Sequence, residues 1–482
     1  MNRIAQRISP LLTALLLVAC STVPELAAPK VEVPTAFKES QEPLQAADGT
    51  RWKVAQPAEA QARGEWWLAF KDPELTALID EASLANATLA VAAARVKQAR
   101  ALAGIAEADR IPQVGVEVGG QRGRASPISF GLPEGTPMPT ATAYQARLTA
   151  SYEVDLFGRV SANVGAARAD AQASEATYKS VLLALQADVA QTYFRIRETD
   201  AELATLNQTA DLRAQSVKVN QSRFDNGDIG EFDLARSKTE LSTARAEAIG
   251  LQRQRVQLEH ALAVLLGKPA ANFTADVSPL VDTSLLPVVP AGLPSKLLER
   301  RPDVTAAQRA MVASNARIGV ARSAMFPALT LSGSGGGESG TFADVFKWSS
   351  RSWLLGALMS MPLIDGGRNK ANITRSEAVL EESVATYRQN VLSAFADVED
   401  NLAGLRVLAG QTEQVDAAVV SARRSADLAQ KLYQAGRSSY LDLLDAQRNL
   451  AAVERSAVQL RGNRAVTTVA LIRSLGGGWD VQ

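Results

Sequence analysis

The sequence predicts a mixed α/β membrane protein in which each chain supplies four β-strands and several unusually long helices. Three observations predict this fold class. Four short segments alternate apolar and polar residues with the period of a β-strand. Two stretches of more than sixty residues contain no proline and are typical of uninterrupted helices. The sequence is also written twice, so each strand pair and each long helix has a counterpart.

An internal duplication organises the chain. Residues 158–267 correspond to residues 367–476 at a constant offset of 209 positions. Upstream the offset is 215, as between Pro112 and Pro327, because the first copy holds six extra residues in a Pro-rich loop. We therefore divide this part of the chain into a first repeat, a linker and a second repeat: 66–278, 279–293 and 294–482.

Each repeat carries one pair of strands. Between Tyr144 and Val154, apolar and polar side chains alternate over eleven residues, which gives one apolar and one polar face. On the polar face, we expect three residues to line water: Gln145, Arg147 and Glu153. The four strands are predicted near 113–121, 144–155, 328–337 and 352–363.

The same alternation would fit a small soluble sheet with one wet face, but no amphipathic segment of matching size is available to cover the apolar face. Strands of about ten residues suit an outer-membrane barrel. Four strands cannot close alone, and open edges are not tolerated in lipid. Two copies would give a filled barrel of eight strands, whereas three copies give twelve strands with room for a conduit.

Long helices follow each strand pair. They are predicted from Gly158 to about Phe224 and from Gly367 to about Tyr433, each roughly 100 Å long at 1.5 Å per residue. The shorter helices that follow have apolar residues spaced alternately three and four apart, as in a coiled coil. One such seam position is an arginine in both repeats, Arg255 and Arg464, and we expect it to pair with a carboxylate or to mark the register of the helices.

The amino terminus has the features of a bacterial lipoprotein. Residues 1–19 combine a basic start with a short apolar run, which predicts a signal peptide. Leu17 to Cys20 then form a lipobox, so Cys20 is predicted to be the acylated first residue of the mature chain. Ser21 is not acidic, which favours the outer membrane, and residues 20–65 are predicted to form an extended lipidated arm.

Composition argues against several other classes of protein. The 51 basic residues balance the 51 acidic ones, and loss of Arg3 and Arg7 with the signal leaves a net charge of −2. This balance gives no basic surface for nucleic acid. His260 is the single histidine, and its counterpart is Val469, which favours a packing or surface role. We therefore predict no enzyme activity, no catalytic residues, no metal site and no cofactor.

The chain resembles the TolC-like outer-membrane factors, in particular the lipoprotein branch that includes OprM and the NodT-type efflux subunits. The resemblance covers most of the mature chain in the family's order. It is carried by five motifs: WWLAFKDPELTALIDEASLANATL (66–89), SYEVDLFGRVSANV (151–164), RRPDVTAAQRAMVASNARIGVARSAMFPALTLSGSGG (300–336), MPLIDGGR (361–368) and YQAGRSSYLDLLDAQRNL (433–450).

This resemblance implies a homotrimer with a twelve-stranded β-barrel in the outer membrane and an α-helical coiled-coil tunnel through the periplasm. It implies an efflux duct for drugs or other small toxic compounds, served by a periplasmic adaptor (membrane fusion protein) and an inner-membrane transporter of the RND or a similar type. A duct for type I protein secretion and a periplasmic coiled-coil adaptor or scaffold lipoprotein remain the alternatives. Metal-ion export is not favoured, because the six methionines are scattered.

The resemblance also places an aperture at the turns between the long and shorter helices, 224–232 and 433–440, which contain Gly227 and Gly436 and would contact the adaptor. The family's aperture acids fall on Asp442 and Asp445; six such carboxylates in a trimer would form a cation-selective ring. The residues alone fit an acidic helix start equally well. The other candidate gate residues are Tyr433, Arg437 and Asp233.

Overall fold

The structure is a computed structural model that describes residues 22–26, 33–34, 36–39, 64–280, 286–287, 289 and 300–477. The signal peptide, Cys20 and most of the linker lie outside the described residues. The chain divides into two compact units, which we call the sheet unit and the helical unit. The sheet unit comprises Met1–Lys30, Arg95–Glu175 and Ala306–Tyr387, and the helical unit comprises Val31–Ala94, Ala176–Thr305 and Arg388–Gln482.

Seven α-helices contain most of the described residues. The long helices of the two halves have the same length of 67 residues, and the helices that follow them have the same length of 35. The helices are α1 (Pro73–Ala85), α2 (Ala87–Ala108), α3 (Arg159–Asp225), α4 (Glu231–Leu265), α5 (Pro302–Ser323), α6 (Arg368–Gln434) and α7 (Tyr440–Ser474).

Local sequence signals explain where these helices begin and end. The Asp72 carboxylate accepts hydrogen bonds from the first-turn backbone of α1, and Asn86 caps α2 through the backbone N–H of Leu89 at 3.0 Å. Gly227 and Gly436 end α3 and α6 with φ values of 78° and 69°, a backbone region that favours glycine. The two long helices begin and end within about two residues of the boundaries predicted for them.

The four strands form one antiparallel sheet in the order β1-β2-β3-β4. They are β1 (Gln113–Arg124), β2 (Thr140–Val154), β3 (Ala328–Ser339) and β4 (Arg351–Ser360). β2 begins four residues before the predicted position, because 140–143 pair with 121–124 although they lack strong apolar alternation. β4 ends three residues before the predicted Leu363, because β3 begins at Ala328, which pairs with Ser360.

The largest apolar core lies in the helical unit. Leu75 and Ile79 of α1 pack with Leu262 of α4, all almost fully buried, in a cluster that also includes residues of α3 and α7. The short 3₁₀-helix Trp66–Phe70 adds aromatic rings that pack edge to face, with Trp66 and Trp67 5.8 Å apart between centroids. This core packs the central part of α3, from Leu183 to Ile196, against the helices around it.

Within the described residues, none of the helices taken singly has the length and apolar composition of a membrane-crossing helix. The bent pair α1 and α2 meets that test of length and composition when the two are taken together.

Leu75→Ala should destabilise the helical unit by about 2–5 kcal/mol, because it leaves a cavity where a fully buried side chain packs. Leu84→Ala on the same helix is the matched control, since Leu84 is 91% exposed. Loss of helical circular dichroism on denaturant titration measures both variants. Equal midpoints for the two variants would contradict this account of the core.

Candidate channel wall and aperture

The sheet has one strongly apolar face. Because paired residues in an antiparallel sheet lie on the same side, Val116 of β1, Leu148 of β2 and Trp353 of β4 share that face. These side chains are exposed, at 71%, 58% and 79%. Single exposed apolar residues are ordinary, but a whole sheet face of them marks a surface that meets lipid or another protein.

The opposite face is polar and concave. Arg147 of β2 lies directly opposite Glu117 of β1, and Gln145 accepts a hydrogen bond from the Arg147 guanidinium. A recess of about 550 Å³ opens on this face, lined by Glu117, Arg147, Thr149, Ser332, Ser334 and Leu354 among others. The predicted water-facing residues Gln145 and Arg147 therefore lie on the face opposite the exposed valines.

Glu153 is on the same face but near the helical end of β2. Its carboxylate accepts two hydrogen bonds from the guanidinium of Arg159, at 2.5 Å and 2.6 Å. Arg159 is the first residue of α3, so this ion pair connects the strand to the helix that follows it. The pair explains an acid at this position without requiring it to contact a passing molecule.

Two aromatic side chains lie at the end of the sheet where β2 ends and β3 begins. Phe157, just after β2, stacks on Phe326, just before β3, with ring centroids 4.8 Å apart. Aromatic residues of this kind are enriched at membrane–water interfaces. The Thr22 hydroxyl lies 3.0 Å from both the Phe157 and the Gly319 carbonyl oxygens, within hydrogen-bond distance of each. Thr22, close to the predicted lipid anchor, is therefore held at this end of the sheet.

The acids predicted for the aperture lie in the first two turns of α7. Asp442 is exposed and forms a capping box with Ser439: its carboxylate accepts from the Ser439 hydroxyl at 2.8 Å and from the Ser439 backbone N–H at 3.0 Å. These two hydrogen bonds, chiefly the one from the Ser439 side chain and also the one from the Ser439 backbone, hold the pKa of Asp442 below its ordinary value. Asp445 is exposed and lies 3.9 Å from Arg448.

The predicted gate residues are brought together only in part. Tyr433 is buried at the end of α6, donates a hydrogen bond to Asn220 at 2.7 Å, and lies beneath the Arg223 guanidinium. It therefore bonds α3 of the same chain rather than Asp233. Arg437 is exposed in the turn after α6, Asp233 is half-buried in the first turn of α4, and neither forms an ion pair within the described residues.

One buried acid near the start of α4 and α7 was not identified from the sequence. Glu240 of α4 is 7% exposed, and its carboxylate accepts hydrogen bonds from Arg213 of α3 and Arg448 of α7. Burial alone would raise the pKa of Glu240, but hydrogen bonds and charge from the two arginines hold it below its ordinary value. A single carboxylate thus joins three helices, and no local sequence pattern announces such a long-range contact.

The seam arginine of the first repeat pairs as predicted. Arg255 of α4 donates to Asp200 of α3 at 2.6 Å and to Glu259 at 2.8 Å. Its counterpart Arg464 is half-buried, and no ion pair of its side chain is found among the described residues. The two repeats therefore use the same residue type at this position in different ways.

Glu198 of α3 is a second acid in an unusual setting. Its side chain lies over Gly462 of α7, where an added Cβ would come within 2.4 Å of the carboxyl group. Burial raises the pKa of Glu198 to about 7, and the nearby charge of Glu202 adds to this effect. Glu202 itself is buried and ion-paired with Arg455.

His260 lies exposed on α4, in agreement with a surface role. Among the described residues, no group of three or more His, Cys, Asp or Glu side chains is arranged to hold a metal ion.

A sheet of strands about ten residues long, with one exposed apolar face and one polar face, is typical of outer-membrane channel proteins. The chain belongs to the outer membrane efflux protein family, which it matches over residues 78–268 and 293–477. It is therefore an outer-membrane channel protein of an efflux pump, located in the outer membrane.

Individual relatives match along nearly the whole chain. The chain is 33% identical to the solvent efflux pump outer membrane protein SrpC of Pseudomonas putida, over 98% of each protein. It is 31% identical to the cation efflux system protein CusC of Escherichia coli O6:H1, over 98% of this chain and 99% of CusC. Among solved structures, the open state of the MtrE outer membrane channel of Neisseria gonorrhoeae matches with a TM-score of 0.81 and 27% identity, over 95% of this chain and 98% of MtrE.

Glu198→Gln should make the stability of the helical unit less dependent on pH. Because the pKa of Glu198 is raised by folding, its protonated form is favoured in the folded state. That contribution is complete below its ordinary pKa of 4.5 and is lost as the pH rises through about 7. Denaturation midpoints between pH 4.5 and 7.5 should therefore fall in the wild type and fall less in the variant, with the exposed Glu413→Gln on α6 as control. Parallel pH curves for all three proteins would contradict the assignment.

Proposed function

We propose that three copies of this chain form a twelve-stranded barrel in the outer membrane, continued by a helical tunnel in the periplasm. This duct passes drugs or other small toxic compounds to the exterior. The observation that carries the proposal is the sheet itself, which has an exposed apolar face, a concave polar face, and two outer edges that pair with no strand in the described part of the chain. Such a sheet is stable in lipid only as part of a closed wall.

The number of copies follows from the space that each barrel encloses. Eight strands leave an interior that side chains fill, whereas a larger barrel leaves an aqueous channel. Twelve strands from three chains are the smallest multiple of four that leaves such a channel. In that arrangement Gln145 and Arg147 line the water-filled passage, and the exposed valines of β1 face lipid.

Acylated Cys20 would anchor each chain beside this wall. Thr22 is the described residue nearest to Cys20 and is bonded to Phe157 at the edge of the sheet. Two residues of extended chain reach at most about 7 Å, so the acyl chains would enter the bilayer close to that edge. Several acyl chains on one residue give stable anchoring, which a single chain does not.

At the other end, the turns containing Gly227 and Gly436 form the aperture and contact a periplasmic adaptor. An inner-membrane transporter of the RND or a similar type supplies the energy in this proposal. Asp442 and Asp445 of three chains form an acidic ring there, with Tyr433, Arg437 and Asp233 as nearby gate residues. Since Asp442 also caps α7, its carboxylate is held in place rather than free to rotate.

Small toxic compounds are the cargo that we favour, and we infer that the protein is a conduit rather than an enzyme. Relatives are named for solvent efflux and for cation efflux, so membership of the family leaves the cargo open. Methionines that could pass soft metal ions along a path are scattered in this chain.

Ionic current through purified protein in planar bilayers, with heat-modifiable migration of the trimer in detergent, tests the proposal. We expect a folded trimer that conducts ions across the bilayer. Folded protein that remains monomeric and carries no current would reject the duct. Co-purification with a protein-secreting transporter alone would favour type I secretion, and loss of outer-membrane fractionation would favour a periplasmic adaptor.

Replacing both Asp442 and Asp445 with alanine should lower the cation selectivity of the channel and weaken block by divalent cations, because six carboxylates leave the ring. The reversal potential in a salt gradient measures the first effect, and current inhibition by magnesium measures the second. The control is Glu381→Ala with Glu382→Ala, which removes the same charge from exposed sites near the other end of α6. Unchanged selectivity in the aspartate variant would remove these residues from the aperture.

A further inference from the structure

We infer that β4 of one chain pairs antiparallel with β1 of a second copy in one defined register, with Ser360 opposite the partner's Glu117. This inference rests on the proposed assembly of several copies into one barrel. It adds the alignment of the two strands at the joint between subunits, which decides which side chains meet there.

The two edge strands are suited to each other rather than to water. β4 carries exposed apolar side chains on both faces, such as Leu354 and Leu355 at 66% and 75% exposure. Edge strands of soluble sheets are usually protected by charges, proline or bulges. β4 lacks all three over Ser352–Ser360, so its free edge fits a partner strand.

The register follows from the internal duplication. The bounds of β1 and β3 differ by 215 residues at both ends, and those of the long helices α3 and α6 differ by 209 at both ends. The joint between β4 and the partner's β1 is then the repeat of the joint between β2 and β3. There, Ser151 pairs with Ser332. The counterpart of Ser151 in β4 is found by adding 209 to its number, which gives Ser360. The counterpart of Ser332 in β1 is found by subtracting 215, which gives the partner's Glu117.

Side-chain sizes on the polar face agree with this register. Leu358 falls opposite the partner's Gly119, and Leu354 falls opposite the partner's Gly123, so each large side chain meets a residue without one. A slip of two residues would instead place Leu358 opposite the partner's Glu117 or the partner's Gln121. A slip of one residue would exchange the apolar and polar faces.

The apolar face agrees as well. In this register Met361 and Leu363, which are 45% and 84% exposed, continue β4 opposite the partner's Val116 and the partner's Val114. In one chain β4 ends at Ser360 because β3 offers no residue beyond Ala328 to pair with. Pairing with a second copy therefore places Met361 and Leu363 in line with β4, up to the end that the alternation in the sequence predicts, although Pro362 between them has no N–H to donate to the partner strand.

Cysteine pairs test the register directly, since the chain has only Cys20, which acylation would block. The variant E117C with S360C should shift from monomer to covalent trimer on a non-reducing denaturing gel after oxidation with copper phenanthroline, and reductant should reverse the shift. A bond within one chain is excluded, because the two edges of the sheet are three strand spacings apart, roughly 14 Å.

The matched controls are E117C with L358C and Q121C with L358C, which represent slips of two residues in either direction on the same face. Heat-modifiable migration before oxidation shows that each variant has assembled. Preferential cross-linking of a control pair contradicts the register but not the proposed barrel. Assembled trimers that no pair cross-links overturn the β4–β1 joint, whereas folded monomers without any cross-link overturn the proposed function as well.

Discussion

Backbone hydrogen bonding at the free edges of β1 and β4 is the constraint on which the sheet unit depends. Each edge presents a row of N–H and C=O groups that face no further strand among the described residues. In lipid, each unsatisfied group costs several kcal/mol, so the sheet is compatible with a membrane only when its edges are closed. The alternation of side chains along the strands then decides which face meets lipid and which meets water.

The stability of the helical unit depends on both apolar burial and specific ion pairs. Its seams contain many alanines, which allow close approach of helices but bury little apolar area each. Specific ion pairs therefore contribute to the alignment of the helices. Asp200 holds Arg255 across α3 and α4, and Glu240 joins α3, α4 and α7 through two arginines. Breaking such a buried pair is strongly unfavourable, because it leaves an uncompensated charge.

Features with a local period could be read from the sequence, and features that join distant residues could not. The long helix α3, predicted over 158–224, is observed over 159–225, and the seam position of Arg255 predicted its pairing with a carboxylate. The early start of β2 at Thr140 was missed, because a Thr-Ala alternation carries little apolar contrast. The bond between Tyr433 and Asn220 was also missed, since more than two hundred residues separate them.

Arg448 links the proposed aperture to the interior of the helical unit. Its guanidinium bonds the buried Glu240 and also lies 3.9 Å from the exposed Asp445. Two acids in very different surroundings thus contact one guanidinium, Glu240 through Nε and Nη2 and Asp445 beside Nη1. Because both acids contact the same side chain, we expect the effects of changing them on stability to be coupled. A cation bound at Asp445 would therefore lie one side chain away from the carboxylate that joins α3, α4 and α7.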